Sequence, residues 1–403
     1  MLKRIIKLWA FLRYFVLAKK KVWRRPMKSE VLIFEASGQE VLRKYLDPWL
    51  PEVLHLSGEQ INVPLLLASL FRRGRKFDAY LDIFIGEVRP RIIVTFIDNH
   101  LPFYSLSLRH PSIKTLFIQN GYRSYYGDSF ESLDGRMSLQ SRLKVDFMMT
   151  FGTRIGAEYA KHIQGIVEPM GSLKNNLFCK VQPKKLGSIA FLSQYRSIDG
   201  LKLGGKFYTQ HSFFKQTDQI VLGFLLQYAQ KNNKKLFIVP CMGQYRDGTL
   251  EKEQMYFNSL LNHSFDYSEW RWLGSGYDAV DTAEVVVSID STLAYESAAR
   301  GNKTAFFSIR SALIGLPGLT YGWPEAYPDV GPYWTNLPET AIFERILNHL
   351  FSLNDEQWAE ELSANRFTEI MAYNPGNSIL RSVLLETLGA PPQRQLQVQA
   401  SVI

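Results

Sequence analysis

The stretch Glu284–Ser308 reads "EVVVSIDSTLAYESAARGNKTAFFS". An apolar run ends at Ile289, and Asp290, Ser291 and Thr292 follow it. A helix-forming segment then leads to Gly301 and a second apolar run. Strand runs that are apolar throughout, not alternating, belong to parallel sheets covered on both faces. Strand, short turn, helix and strand make one βαβ unit. The turn carries chemistry too. The first N–H groups of a helix lack intrahelical partners and, with the helix dipole, attract an anion. Ser291 and Thr292 add hydroxyls there, and Glu296 lies about one turn in, placed to accept from a ribose diol. An N-cap asks for one hydroxyl, not for two and an acid.

The same grammar runs along the whole chain. Apolar runs fall at 31–36, 91–98, 115–121 and 146–152, and again at 188–194, 235–241, 284–290 and 304–308. Helical patterns occupy 64–88, 153–163, 217–231, 250–262, 292–300, 339–351, 355–372 and 377–388. The 403 residues exceed one ordinary domain of roughly 100–200. The polar stretch 174–187 reads as a linker. The expected organisation is α/β, with two Rossmann-like, doubly wound domains (27–175 and 186–375) facing a cleft. A C-terminal helix and tail (376–403) follow, and the helix is free to return toward the first domain.

The net charge of +9 suggests nucleic acid until it is located. Residues 1–25 hold nine Lys and Arg and no acid, which leaves 38 basic residues against 38 acidic ones elsewhere. A groove tracking phosphates needs cations spread over the folded body, so a nucleic-acid partner is not expected. On a helical wheel Ile5, Leu8, Trp9, Leu12, Phe15, Val16 and Trp23 gather on one side, with most cations opposite. Residues 1–26 are therefore expected to form a basic amphipathic helix on an anionic membrane surface. Arg13 interrupts a run already too short to span. The protein is placed in the cytoplasm, peripheral on the inner face of the cell membrane. Cys179 and Cys241 show neither a disulfide framework nor metal-ligand spacing.

Ligands of open α/β sheets sit beyond the carboxyl ends of the strands. In the second half those positions are Pro240, Asp290, Ser291 and Thr292, with Glu296 behind them. In the first half Asp98, Asn99 and His100 follow "RIIVTFI", and Gln119, Asn120 and Arg123 follow "TLFI". Glu59 stands in "SGEQINVP" just before a helix. Asp-Asn and Asn-Gly are common turn formers, but turns do not require a His, an Arg and a carboxylate. No dinucleotide-binding or P-loop glycine motif occurs.

The segment "YDAVDTAEVVVSIDSTLAYESAARGNKTAFF" (277–307) resembles the nucleotide-binding segment of GT-B glycosyltransferases of bacterial capsule and lipopolysaccharide synthesis. It is similar to the branch using CMP-activated Kdo or sialic acid, whose Ser-Ser/Thr pair is matched by Ser291 and Thr292. That branch often carries His-Pro at an earlier strand end, where this chain has Val239-Pro240. "PRIIVTFIDNHLPFYSLSLRHPSIKTLFIQNGYR" (90–123) resembles the N-terminal half of surface-carbohydrate transferases known mostly from sequence.

The resemblance implies transfer of a sugar from a nucleotide-activated donor to a glycan or glycolipid, with no cofactor and no metal. The helix start and the two hydroxyls would stabilise the departing phosphate. The acceptor hydroxyl needs a base, for which Asp98, Glu59 and His100 are the candidates in that order. Asn99, Gln119, Asn120 and Arg123 would hold substrate, Arg123 suiting a sugar carboxylate bidentately. Two alternatives stay open. One is a CDP-polyol phosphotransferase of the teichoic-acid type. The other is a non-catalytic sugar-binding component of an assembly complex.

Overall fold

The computed structural model describes residues 15–56, 59–72, 76–126, 129–134, 143–181, 183–196, 200–241, 249–269, 274–316 and 318–391. In the first half the strands are β1 (Lys20–Val22), β2 (Val31–Phe34), β3 (Glu52–Leu54), β4 (Gln60–Asn62), β5 (Ile92–Thr95), β6 (Lys114–Ile118), β7 (Lys144–Thr150) and β8 (Gln164–Pro169). In the second half they are β9 (Lys185–Leu192), β10 (Leu201–Leu203), β11 (Lys206–Tyr208), β12 (Lys235–Val239), β13 (Asp266–Tyr267), β14 (Ala283–Ser288), β15 (Thr304–Phe307) and β16 (Trp334–Thr335).

Two six-stranded sheets result, ordered β3-β2-β5-β6-β7-β8 and β13-β12-β9-β14-β15-β16. Both are parallel throughout. These are the two expected Rossmann-like domains. Val285, Val286 and Val287 are fully buried, as are Ile92 and Ile93, because helices cover both faces. The order in which strands are added reverses between β2 and β5 in the first sheet and between β9 and β14 in the second. Such switch points open a crevice at the carboxyl ends of their strands.

The domains are tied at more than one place. The helix Ser378–Leu388 does return, packing Leu380, Val383, Leu384 and Leu388 against Val31, Ile33 and Leu42 of the first core. On the way the chain crosses Gly152 and Gly171. A Cβ at Gly152 would lie 2.1 Å from the Glu369 carbonyl oxygen, and one at Gly171 2.1 Å from that of Ala372. The Ala372 N–H donates to the Phe151 carbonyl at 2.7 Å. Against the segment 174–187, read from the sequence as a linker, Arg300 is enclosed, donating to Asp281 and to the carbonyls of Asn175 and Phe178.

The N-terminal segment differs from expectation. Residues 1–14 lie outside the described residues, so most of the anticipated amphipathic helix does too. Of the remainder, only a short helical stretch at 15–17 precedes β1, which pairs in parallel with β4. Ala18 is buried in the first core, and the Lys20 N–H donates to the Glu59 carbonyl. Backbone pairing with β4 thus supersedes the helical periodicity of residues 20–22. No helix among the described residues is long and apolar enough to cross a membrane.

Candidate functional site

A cavity of about 300 Å³ lies between the domains, at the carboxyl ends of the strands. Tyr122 and Arg123 of the first domain face Arg196, Phe213, Asp290 and Tyr295 of the second across it. The helix Thr292–Ala299 begins next to this crevice: Asp290 and Tyr295 line it, whereas Ser291 and Thr292, expected there from the strand-end argument, are not among its lining residues. Ser291 is its N-cap, its hydroxyl accepting from the Leu293 N–H at 3.3 Å. Thr292 Oγ1 accepts from the Tyr122 N–H at 2.8 Å, a bond between domains. Both residues are half-buried. The Tyr122 and Tyr295 rings stack at 3.7 Å, only 8° from parallel, and the Tyr122 hydroxyl donates to the Trp323 carbonyl. The loop after β6 is therefore docked directly over the helix start.

Asp290 pairs with Arg310, whose guanidinium also donates to the Phe213 carbonyl and lies 4.7 Å from the Phe213 ring centroid. Arg310 is 3 % exposed and is held in place on both faces. Arg196 is exposed at the cavity wall. Pro240 is buried at the end of β12.

Several candidates are placed otherwise than the sequence suggested. Asp98 is completely enclosed. Its carboxylate accepts from Arg123 Nε at 2.8 Å, from a second Arg123 nitrogen and from the Tyr159 hydroxyl. It cannot take a proton from an acceptor in the cleft, because four neighbouring groups, counting the Asn120 N–H, already occupy it. Arg123 spends its fork on Asp98 and on the Asn120 side chain at 2.6 Å, so it is not open to clasp a sugar carboxylate through that same edge. Gln119 braces the loop, donating to the Gly121 carbonyl and accepting from the Phe151 N–H. Glu296 is buried against Tyr277 and Ser172 and does not reach the cavity. Burial raises its carboxyl above the ordinary value, against hydrogen bonds from Ser172 and Tyr277 that pull it down. Glu59 is exposed and pairs with His55 at 3.3 Å, and Asn99 is exposed.

His100 fares differently. It follows β5 at the first switch point, half-buried, with its ring edge-on to Phe34 at 5.3 Å. Its Nδ1 is buried without a hydrogen-bond partner. Burial lowers its pKa below the ordinary imidazole value, while the charge of Glu35 pulls the other way. Glu35 follows β2, the other strand of that switch point, and is 2 % exposed. Its φ of 79° lies in the left-handed region, which non-glycine residues rarely adopt and which gathers at functional sites. Glu35, Arg196 and Arg310 were not singled out from the sequence. Glu35 directly follows the apolar residues of "VLIFEA", and Arg196 and Arg310 stand two residues beyond "SIAFLSQ" and "TAFFS", so a slightly wider strand-end rule reaches them.

Among the described residues no group of three His, Cys, Asp or Glu is arranged to hold a metal ion.

A family model described as "putative O-antigen biosynthesis protein" matches residues 116–388. No curated protein matches the sequence. Among solved structures, a "putative UDP-N-acetylglucosamine 2-epimerase" from Listeria monocytogenes superimposes with a TM-score of 0.50 at 10% identity, covering 89% of this chain and 96% of its own. The wall teichoic acid polymerase TagF gives 0.49 at 11% identity, over 96% of this chain and 98% of its own. The UDP-GlcNAc 2-epimerase from Neisseria meningitidis gives 0.49 at 11%, over 91% and 100%. At these identities the likeness concerns the fold alone.

Proposed function

This chain belongs to the O-antigen biosynthesis family and has the GT-B fold of surface-polysaccharide biosynthesis proteins, and on that premise we propose that it is a glycosyltransferase. It moves a sugar from a nucleotide-activated donor to a surface glycan or glycolipid. The observation that carries this reading is the interdomain cavity at the start of the helix Thr292–Ala299, with Arg196 on its wall.

In this reading the donor phosphate lies in the cavity against Arg196, whose positive charge stabilises the leaving group as its bond to the sugar breaks. Asp98 and Asn120 fix the Arg123 guanidinium at the cavity wall, so they act as positioning residues. As base this reading assigns His100, which stands at the first switch point outside the residues lining this cavity; burial lowers its pKa and the charge of Glu35 supports its protonated form. The likeness of Ser291-Thr292 to the hydroxyl pair of CMP-sugar transferases is the ground for naming a CMP-linked sugar as the donor.

A thermal-shift series with CMP, CDP, UDP and GDP tests the reading. A ligand that binds only the folded chain stabilises it by about 2.7 kcal/mol at a hundred times its dissociation constant. CMP is expected to give the largest rise, and Arg196→Ala to abolish it. A larger rise with CDP would transfer the assignment to the polyol-phosphate class. No response to any nucleotide would remove the donor site.

A further inference from the structure

On the outer side of the first domain, we infer a two-part docking surface for anionic phospholipid, formed by residues 16–28 together with the end of the helix Val63–Leu70. The parallel pairing of β1 with β4 sets these segments side by side, Lys20 opposite Gln60 and Val22 opposite Asn62. The Asn62 side chain donates to the Arg24 carbonyl at 2.8 Å, and Asn62 caps the helix that follows. Trp23 therefore stands beside the start of that helix.

The inward faces of the two segments are spent on the core, where Ala18, Ile61, Leu65 and Leu66 are buried. Their outward faces are apolar as well. Val16 is 70 % exposed, Leu17 62 % and Trp23 67 % on the first segment, and Phe71 89 % with Leu67 also exposed on the second. Among the described residues these side chains stay exposed, and apolar side chains exposed together mark interaction sites.

The surrounding charge selects the partner. Lys19, Lys20, Lys21, Arg24, Lys28 and Arg72 are all exposed on the same segments. Interfacial segments pair such cations with aromatic and aliphatic side chains that enter the headgroup boundary, and each cation near an anionic leaflet adds to binding. A nucleic acid would use the cations but leave Val16, Leu17, Trp23 and Phe71 without a role. Residues 1–25 alone suggested a membrane contact from sequence. The new element is the second segment, Leu67, Phe71 and Arg72, with which the strand pairing completes the surface.

Co-sedimentation of the full chain with phosphatidylethanolamine–phosphatidylglycerol vesicles, against phosphatidylcholine vesicles, is the test. The chain is expected to sediment with the anionic vesicles and not with the neutral ones. The double substitution Leu67→Ser and Phe71→Ser is expected to cut that partitioning about tenfold or more, since two large apolar side chains no longer enter the bilayer. Both positions are exposed, so the melting temperature should stay unchanged. Partitioning equal to wild type in the double variant overturns the two-part surface. Failure to bind anionic vesicles, or stripping from them by short duplex DNA, overturns the lipid assignment. No nucleotide enters the assay, so its outcome is independent of the donor reading.

Discussion

Asp98 shows how a candidate base becomes a scaffold. A carboxylate with no exposure must have its charge answered, and Arg123, Tyr159 and the Asn120 N–H answer it. Removing one partner of a buried pair leaves the other charge uncompensated, typically at about 3–5 kcal/mol. Asp98→Asn is therefore expected to lower stability by that order and to weaken nucleotide binding, because Arg123 loses its anchor. Urea denaturation measures the first effect and nucleotide titration the second. Wild-type stability with turnover alone abolished would return Asp98 to the role of base. A second buried acid gives a pH prediction. Burial pushes the Asp218 carboxyl up to about 7, against the pull of Arg310 and a hydrogen bond from the Tyr256 hydroxyl at 2.8 Å. Unfolded, the group ionises near 4, so between about pH 4 and 7 the folded chain holds a proton that the unfolded chain has released. Stability falls as pH rises through this window, by up to about 4 kcal/mol for a shift of some three units. Asp218→Asn keeps an acceptor for Tyr256 and is expected to melt higher than wild type at pH 8, with a flatter profile from pH 4 to 7. Identical profiles would show that Asp218 is ionised throughout.

At the scale of elements, the crossing of residues 369–373 over the first domain depends on the absence of side chains at two points. Gly152→Ala sets a methyl group against the Glu369 carbonyl, and backbone cannot give way as a side-chain tip can. Overpacking of this kind costs about 1–3 kcal/mol, and here it should act on the tie between domains. Gly86→Ala is the control: it lies within the helix Lys76–Val88, a Cβ there meets nothing within 4 Å, and helix propensity predicts a gain of about 1 kcal/mol. Differential scanning calorimetry of both variants decides. Equal melting temperatures would show that the crossing is loose. The same scale explains which elements were legible. The eight apolar runs correspond to β2, β5, β6, β7, β9, β12, β14 and β15, the strands in the middle of the two sheets. Of the strands not foreseen, β3, β8, β13 and β16 lie at the edges of the two large sheets, where one side lacks a neighbour, and β1, β4, β10 and β11 form separate two-stranded sheets. β8 reads "QGIVEP" and is half-exposed or exposed along its length, so it offers no continuous apolar run. The pattern over 64–88 breaks into the helices Val63–Leu70 and Lys76–Val88.

For the whole molecule, local signals carried the architecture and the location of the cleft. Apolar runs, glycine-closed helices and the strand-end rule need only neighbouring residues, because a strand buried on both faces must be apolar wherever it lies. They identified two α/β halves and brought Asp290 to the crevice, with Ser291 and Thr292 next to it in the chain. Tertiary structure alone decided which polar side chains remain available there. Thr292 meets Tyr122 from 170 positions away, Glu296 is closed in by Ser172, and the Asp98 carboxylate meets Arg123 and Tyr159 from separate elements. A charged or hydroxylic group near a strand end is written in the sequence. Whether it faces a ligand or is neutralised depends on partners far along the chain, since the desolvation of a buried polar group must be offset by whichever donors the fold brings to it.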